Sequence, residues 1–142
     1  MNQLLKKKQN QLKAKKGFTL VELIIVIAII AILAVLAIPK FSEIRENANV
    51  KADIATAKSI QSAVTVAVTN AETGFELPQN GQQKTITTDA IANIINGRNV
   101  PDGKAKEVKG QKFTAVIDDK GNVSVKVGTL EVLPTPDAPY EK

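Results

Sequence analysis

Residues 23–38 are an unbroken run of apolar side chains, and extended back to Phe18 the run is interrupted only by Thr19 and Glu22. As a helix, these 21 residues would be about 31 Å long, which matches the hydrocarbon thickness of a bilayer. Inside lipid every backbone polar group must be satisfied within the segment, so residues 18–38 are predicted to be helical despite their many β-branched side chains. The segment can therefore cross a membrane.

Three details separate this run from a plain anchor. Glu22 puts a carboxylate inside it, which costs free energy in hydrocarbon, though less near an end than at the centre. Lys15, Lys16, Gly17 and Phe18 form a junction at which a basic leader meets the apolar segment through a small residue. Pro39 closes the run, at a place where a proline interrupts or bends a continuing helix.

With these three details, residues 15–51 resemble a type IV prepilin carrying a class III signal peptide and an N-terminal methylation motif. The resemblance implies cleavage between Gly17 and Phe18 by a dedicated membrane peptidase, N-methylation of Phe18, and Glu22 as the fifth residue of the mature chain. It further implies that Glu22 of an incoming subunit pairs with the Phe18 amine of one already in a filament, and that Pro39 distorts the helix. The implied partners are other copies of the chain in a helical filament, the prepilin peptidase/methyltransferase, the pilus assembly machinery and the membrane. The implied location is the cytoplasmic (inner) membrane for the single-pass precursor, then an extracellular pilus.

Charge agrees with this layout. The formal net charge is +5, but residues 1–17 hold six lysines and no acid, which leaves 13 basic against 14 acidic residues in the remainder. The basic character thus belongs to the leader, where positive charge holds an N-terminus on the cytoplasmic side. It gives no reason to expect a nucleic-acid partner. The domain plan is a cleaved leader at 1–17, a transmembrane and filament-core helix at 18–38, and a globular domain at 39–142.

Beyond Pro39 the pattern becomes amphipathic. Val50, Ile54, Ala57, Ile60, Val64 and Val68 recur at helical spacing, while Glu43, Arg45, Glu46, Lys51, Asp53 and Lys58 occupy other faces. One long helix from Phe18 to about Ala71, ending near Gly74, is the simplest reading. Residues 73–112 read as loop-rich, with a short helix over 88–96 capped by Thr87 or Thr88 and stopped by Gly97. Strands are predicted at 111–118, 122–127 and 130–133, with Phe113, Ala115 and Ile117 facing the same way as Val123, Val125 and Val127. The tail, 134–142, reads as extended and exposed. The fold class is α+β: a long N-terminal helix, half transmembrane and half amphipathic, packed on a small three-stranded antiparallel sheet, the ladle shape of pilins.

Chemistry is sparsely represented. Cysteine, histidine and tryptophan are absent and Tyr140 is the only tyrosine, so stability must come from packing, and no nucleophile stands with a base. The C-terminal cysteine pair of many pilins is missing. Asp118, Asp119 and Gly121 lack the alternating ligands of a calcium loop and read as a turn. No catalytic residue, metal site or cofactor is expected. The functions to be weighed are a major pilin of an adhesive, motile or biofilm-forming pilus, a pseudopilin of a type II secretion or DNA-uptake system, and a membrane-anchored binding module that never polymerises. A secretory signal peptide cut after Ala37 competes, but its apolar region would be too long and would contain Glu22.

Overall fold

A computed structural model describes residue 3 and residues 17–95 and 99–141 of the protein. Most of the expected leader, 1–17, and the expected helix stop at Gly97 lie outside the described residues. Contacts divide the chain between Phe41 and Ser42 into two units, which we describe in turn.

In the first unit the helix α1, Leu20–Thr69, begins two residues after Phe18 and runs without a break through Pro39. Pro39 has no N–H for the Val35 carbonyl, so one rung of the ladder is missing there. The helix is apolar on every face: each large hydrophobic from Phe18 to Phe41 is between 48% and 92% exposed.

In the second unit the rest of α1 lies on a four-stranded antiparallel sheet, in the order β1 (Gln83–Ile86), β2 (Phe113–Asp118), β3 (Val123–Val127) and β4 (Leu130–Leu133). Strands β2 and β3 pair Ala115 with Val125 and Ile117 with Val123. Their alternation is therefore coherent, and Phe113, Ala115, Ile117, Val123, Val125 and Val127 all point into the core. From α1 this core receives Val50, Ala57, Ile60, Val64 and Ala67. Fully burying a side chain such as Ile60 contributes about 1.5–3 kcal/mol.

Four predictions need correction. The sheet has four strands rather than three, because β1 escapes a search for alternation. Of its residues Gln83, Lys84, Thr85 and Ile86, only Ile86 is buried, and its extended form comes from pairing with β2. Helix α1 stops at Thr69, not near Gly74. Its end is a Schellman motif in which Glu72 N–H donates to the Ala67 carbonyl and Ala71 N–H to Val68, with Ala71 left-handed at φ 51°. Asp53 sits on the buried stripe of α1 at 1% exposure, not on an outer face. The tail is anchored: Tyr140 is 3% exposed.

Between β1 and β2 the chain forms α2 (Thr88–Ile94) and a single 3-10 turn (Lys106–Val108). Thr87 is the N-cap of α2 but its side chain caps nothing; the Thr88 hydroxyl instead donates to the Phe113 carbonyl at 2.6 Å, tying α2 to β2. Gly103 is required by close approach. A Cβ there would lie 2.6 Å from the Val108 carbonyl oxygen and 2.8 Å from Val127 Cγ2.

Candidate functional site

Of the functional residues expected from sequence, Gly17, Phe18 and Glu22 lie where the chain enters α1, while Pro39 lies inside the helix. Gly17, Phe18 and Thr19 are non-helical, and Thr19 is the N-cap: its carbonyl accepts from Leu23 N–H. Glu22, three residues on, closes a capping box. Thr19 N–H donates to Glu22 Oε2 at 2.7 Å, the Thr19 hydroxyl donates to the same oxygen at 2.9 Å, and Glu22 N–H donates to Thr19 Oγ1 at 3.2 Å. The carboxylate also stands at the positive end of the helix dipole. In this structure, then, Glu22 is occupied by its own helix end, through one oxygen. Phe18 and Glu22 share this helix end, but the structure records no contact between them.

Gly17 is informative because nothing among the described residues asks for it. A Cβ built there meets no atom within 4 Å. A requirement for glycine at this position must come from something that handles the chain from outside. Phe18 is likewise 92% exposed, so the Gly17–Phe18 peptide bond is approachable.

The apolar helix surface that follows lacks a partner among the described residues. A contiguous exposed patch of this extent far exceeds what a monomer in water carries, and residues from Leu20 onward are long and apolar enough to cross a membrane. Bilayer lipid and the same helix of another copy are both physically suitable surroundings.

A second set of residues, in the globular unit, was not legible as a site. Asp53 Oδ1 and Oδ2 accept from Lys104 N–H at 2.8 and 3.0 Å, and Oδ2 accepts from Ala105 N–H at 2.9 Å and from the Tyr140 hydroxyl at 3.0 Å. One turn pair earlier, Glu46 Oε1 accepts from Lys106 N–H at 2.7 Å. Two acids of α1 thus hold three consecutive backbone amides, and one of them also holds the C-terminal tail. Burial, reinforced by hydrogen bonding to the Asp53 carboxylate, pushes the Tyr140 phenol above its ordinary value. The sequence did contain a signal: Asp53 falls three residues after Val50 and four before Ala57, within the apolar stripe.

The Asp118–Asn122 turn uses its acid locally. Asp118 Oδ1 accepts from Lys120 N–H and Asn122 N–H, and Oδ2 from the Asn122 side chain at 2.7 Å. The Asn122 amide, side chain foremost, holds the Asp118 carboxyl below the usual range. No group of three or more metal-ligating side chains occurs among the described residues.

Residues 12–38 match the family model described as the prokaryotic N-terminal methylation motif, the class III signal peptide of type IV pilins. Comparisons with curated proteins and with solved structures found no match.

Proposed function

We propose that this chain is the precursor of a type IV pilin, cut by a membrane peptidase between Gly17 and Phe18, N-methylated at Phe18, and polymerised through residues 18–38 into a surface filament as its major subunit. The observation that carries the reading is the conjunction of the methylation motif with a helix whose apolar side chains, from Phe18 to Ile44, are exposed on every face. A bilayer covers those side chains before assembly, and neighbouring helices cover them afterwards, so the same surface serves storage and polymerisation. The filament would then serve adhesion, motility or biofilm formation.

Within this reading Glu22 changes partners. Cleavage at Gly17 frees the Phe18 amine, a cation at the depth of the carboxylate, and an inter-subunit pair between them fixes the axial register. Removing one member of a buried ion pair costs about 3–5 kcal/mol, enough to make assembly depend on it. Pro39, with its missing rung, is the place where the helix can yield when packed.

The motif is shared by pseudopilins of secretion and DNA-uptake machines, so the deciding experiment must report location as well as processing. Intact mass and N-terminal analysis of protein sheared from the native host is expected to give a chain that starts at Phe18, one methyl heavier than the sequence, as an abundant species. A processed chain confined to the cell envelope would favour the pseudopilin. A chain starting before Gly17 or after Ala37 would overturn the reading.

A further inference from the structure

The globular unit carries an open groove of about 580 Å³, a volume within the roughly 300–1,000 Å³ span of small-molecule sites. Helix α1 contributes Gln61, Ser62 and Thr65 to it, the turn between β2 and β3 contributes Asn122, and Pro134 at the start of the tail adds an apolar ring. No charged side chain lines it.

The two amide side chains of the groove are held by the protein. Gln61 Nε2 donates to the Val123 carbonyl at 2.9 Å, and Asn122 Nδ2 donates to Asp118 Oδ2 at 2.7 Å while Asn122 N–H donates to Asp118 Oδ1 at 2.8 Å. Each amide thus spends a donor on the fold and keeps its oxygen, Gln61 Oε1 or Asn122 Oδ1, without a donor among the described residues. An acceptor already fixed in place loses little freedom when a ligand hydroxyl reaches it.

Ser62 departs from its neighbours. A hydroxyl inside a helix commonly donates to the carbonyl four residues back, and Thr56, Ser59, Thr65 and Thr69 all do so. The Ser62 hydroxyl makes no such bond, nor any other among the described residues, and the residue is exposed. Its donor is therefore unspent, beside two unspent acceptors.

The surroundings do not impose a charge on the groove. Four acids lie within four positions of its lining, and with three lysines in the same stretches they leave a net of only −1. Each acid is engaged: Asp118 by Asn122, Asp119 by Gly81 N–H, Glu131 by Thr135 and Asp137 by Glu131 N–H.

We propose that this groove binds a neutral, hydroxyl-rich ligand, a sugar residue of a carbohydrate. A sugar hydroxyl donates and accepts at once, so it can give its hydrogen to Gln61 Oε1 or Asn122 Oδ1 and accept one from Ser62. The Pro134 ring offers apolar surface to the C–H face of the same sugar. A charged ligand gains no ion pair from the lining. The inference goes beyond the filament reading, because binding at this groove needs neither cleavage at Gly17 nor polymerisation.

The test follows the backbone amide NMR spectrum of the full chain, in micelles of a detergent without a sugar headgroup, during separate titrations with cellobiose, maltose and lactose. At least one of them is expected to shift the resonances of residues 61–65 and 121–123 saturably. Glucuronate is expected to bind no more tightly than glucose. Ser62→Ala should weaken binding about three- to tenfold, the loss of one hydrogen bond, and Ser62→Trp should abolish it by filling the groove; both replace an exposed side chain that bonds to nothing in the fold, so both should keep the wild-type melting temperature. No shift at these residues with any of the three sugars, tighter binding of glucuronate, or binding that persists in a folded Ser62→Trp chain would overturn the proposal. Processing and shearing of the chain from its host are read separately, so the filament reading and the sugar site can fail independently.

Discussion

The Tyr140 hydroxyl donates to Asp53 Oδ2 at 3.0 Å, joining the proline-rich tail to the middle of α1 across 87 residues of sequence. Both groups are buried, and the same carboxylate anchors Lys104 and Ala105. In a chain without cysteine this contact closes the C-terminal region by hydrogen bonding and packing alone.

Removing it should be costly in a graded way. Tyr140→Phe keeps the ring and deletes one hydrogen bond to a charged acceptor, an expected loss of about 1.5–3 kcal/mol. Asp53→Ala strands two amides and the phenol together and is expected to cost more, about 3–5 kcal/mol. Thermal unfolding of the full chain in detergent would rank the two. A smaller effect for Asp53→Ala than for Tyr140→Phe would contradict the geometry.

The same pair predicts an alkaline limit. The ordinary phenol value is 10.0 and Tyr140 is pushed above it, so below pH 10 the phenol is neutral in both states and its contribution is fully present. As pH rises further the unfolded chain loses the proton and the folded one keeps it, so stability falls. Melting temperature followed upward from pH 8 should decline more steeply for wild type than for Tyr140→Phe, and parallel curves would refute the linkage.

Ala71 offers a stabilising change. It occupies the left-handed position of the α1 C-cap at φ 51°, which costs an L-residue with a Cβ roughly 1 kcal/mol that glycine avoids. Ala71→Gly should raise stability by about 0.5–1 kcal/mol, in spite of glycine's more flexible unfolded chain. Denaturant midpoints of the two chains would settle it.

Gly17 separates processing from folding. Since a Cβ there meets open space, Gly17→Val should leave the melting temperature of the chain unchanged while cleavage by the host peptidase drops at least ~10-fold. A normal processing rate would mean that glycine is not what the enzyme selects.

Glu22 separates capping from charge. Gln can replace Glu in a capping box, so Glu22→Gln preserves the bonds with Thr19 and removes only the negative charge. Under the register model Glu22→Gln and Glu22→Ala are both cleaved at Gly17 and both lose filaments by ~100-fold or more, the loss expected for an unpaired buried amine. Filaments from Glu22→Gln at wild-type yield would reduce Glu22 to a helix cap.

Sequence by itself determined the elements whose physics is local. An apolar run of 21 residues from Phe18, interrupted only by Thr19 and Glu22, can only be satisfied as a helix in lipid or among its own kind, and the strict alternation of β2 and β3 fixes their inner faces. The methylation motif matched at residues 12–38, which contains Gly17, Phe18 and Glu22, is likewise local, because it consists of residue types at fixed spacing. Tertiary structure decided whatever depends on a distant partner. Strand β1 has a single buried side chain and is extended because β2 offers it an edge. Asp53 became the centre of the globular unit because loop 104–105 and Tyr140 return to it from 51 and 87 residues away. A carboxylate within an apolar stripe signals that some donor must arrive; only the packed chain shows which one does.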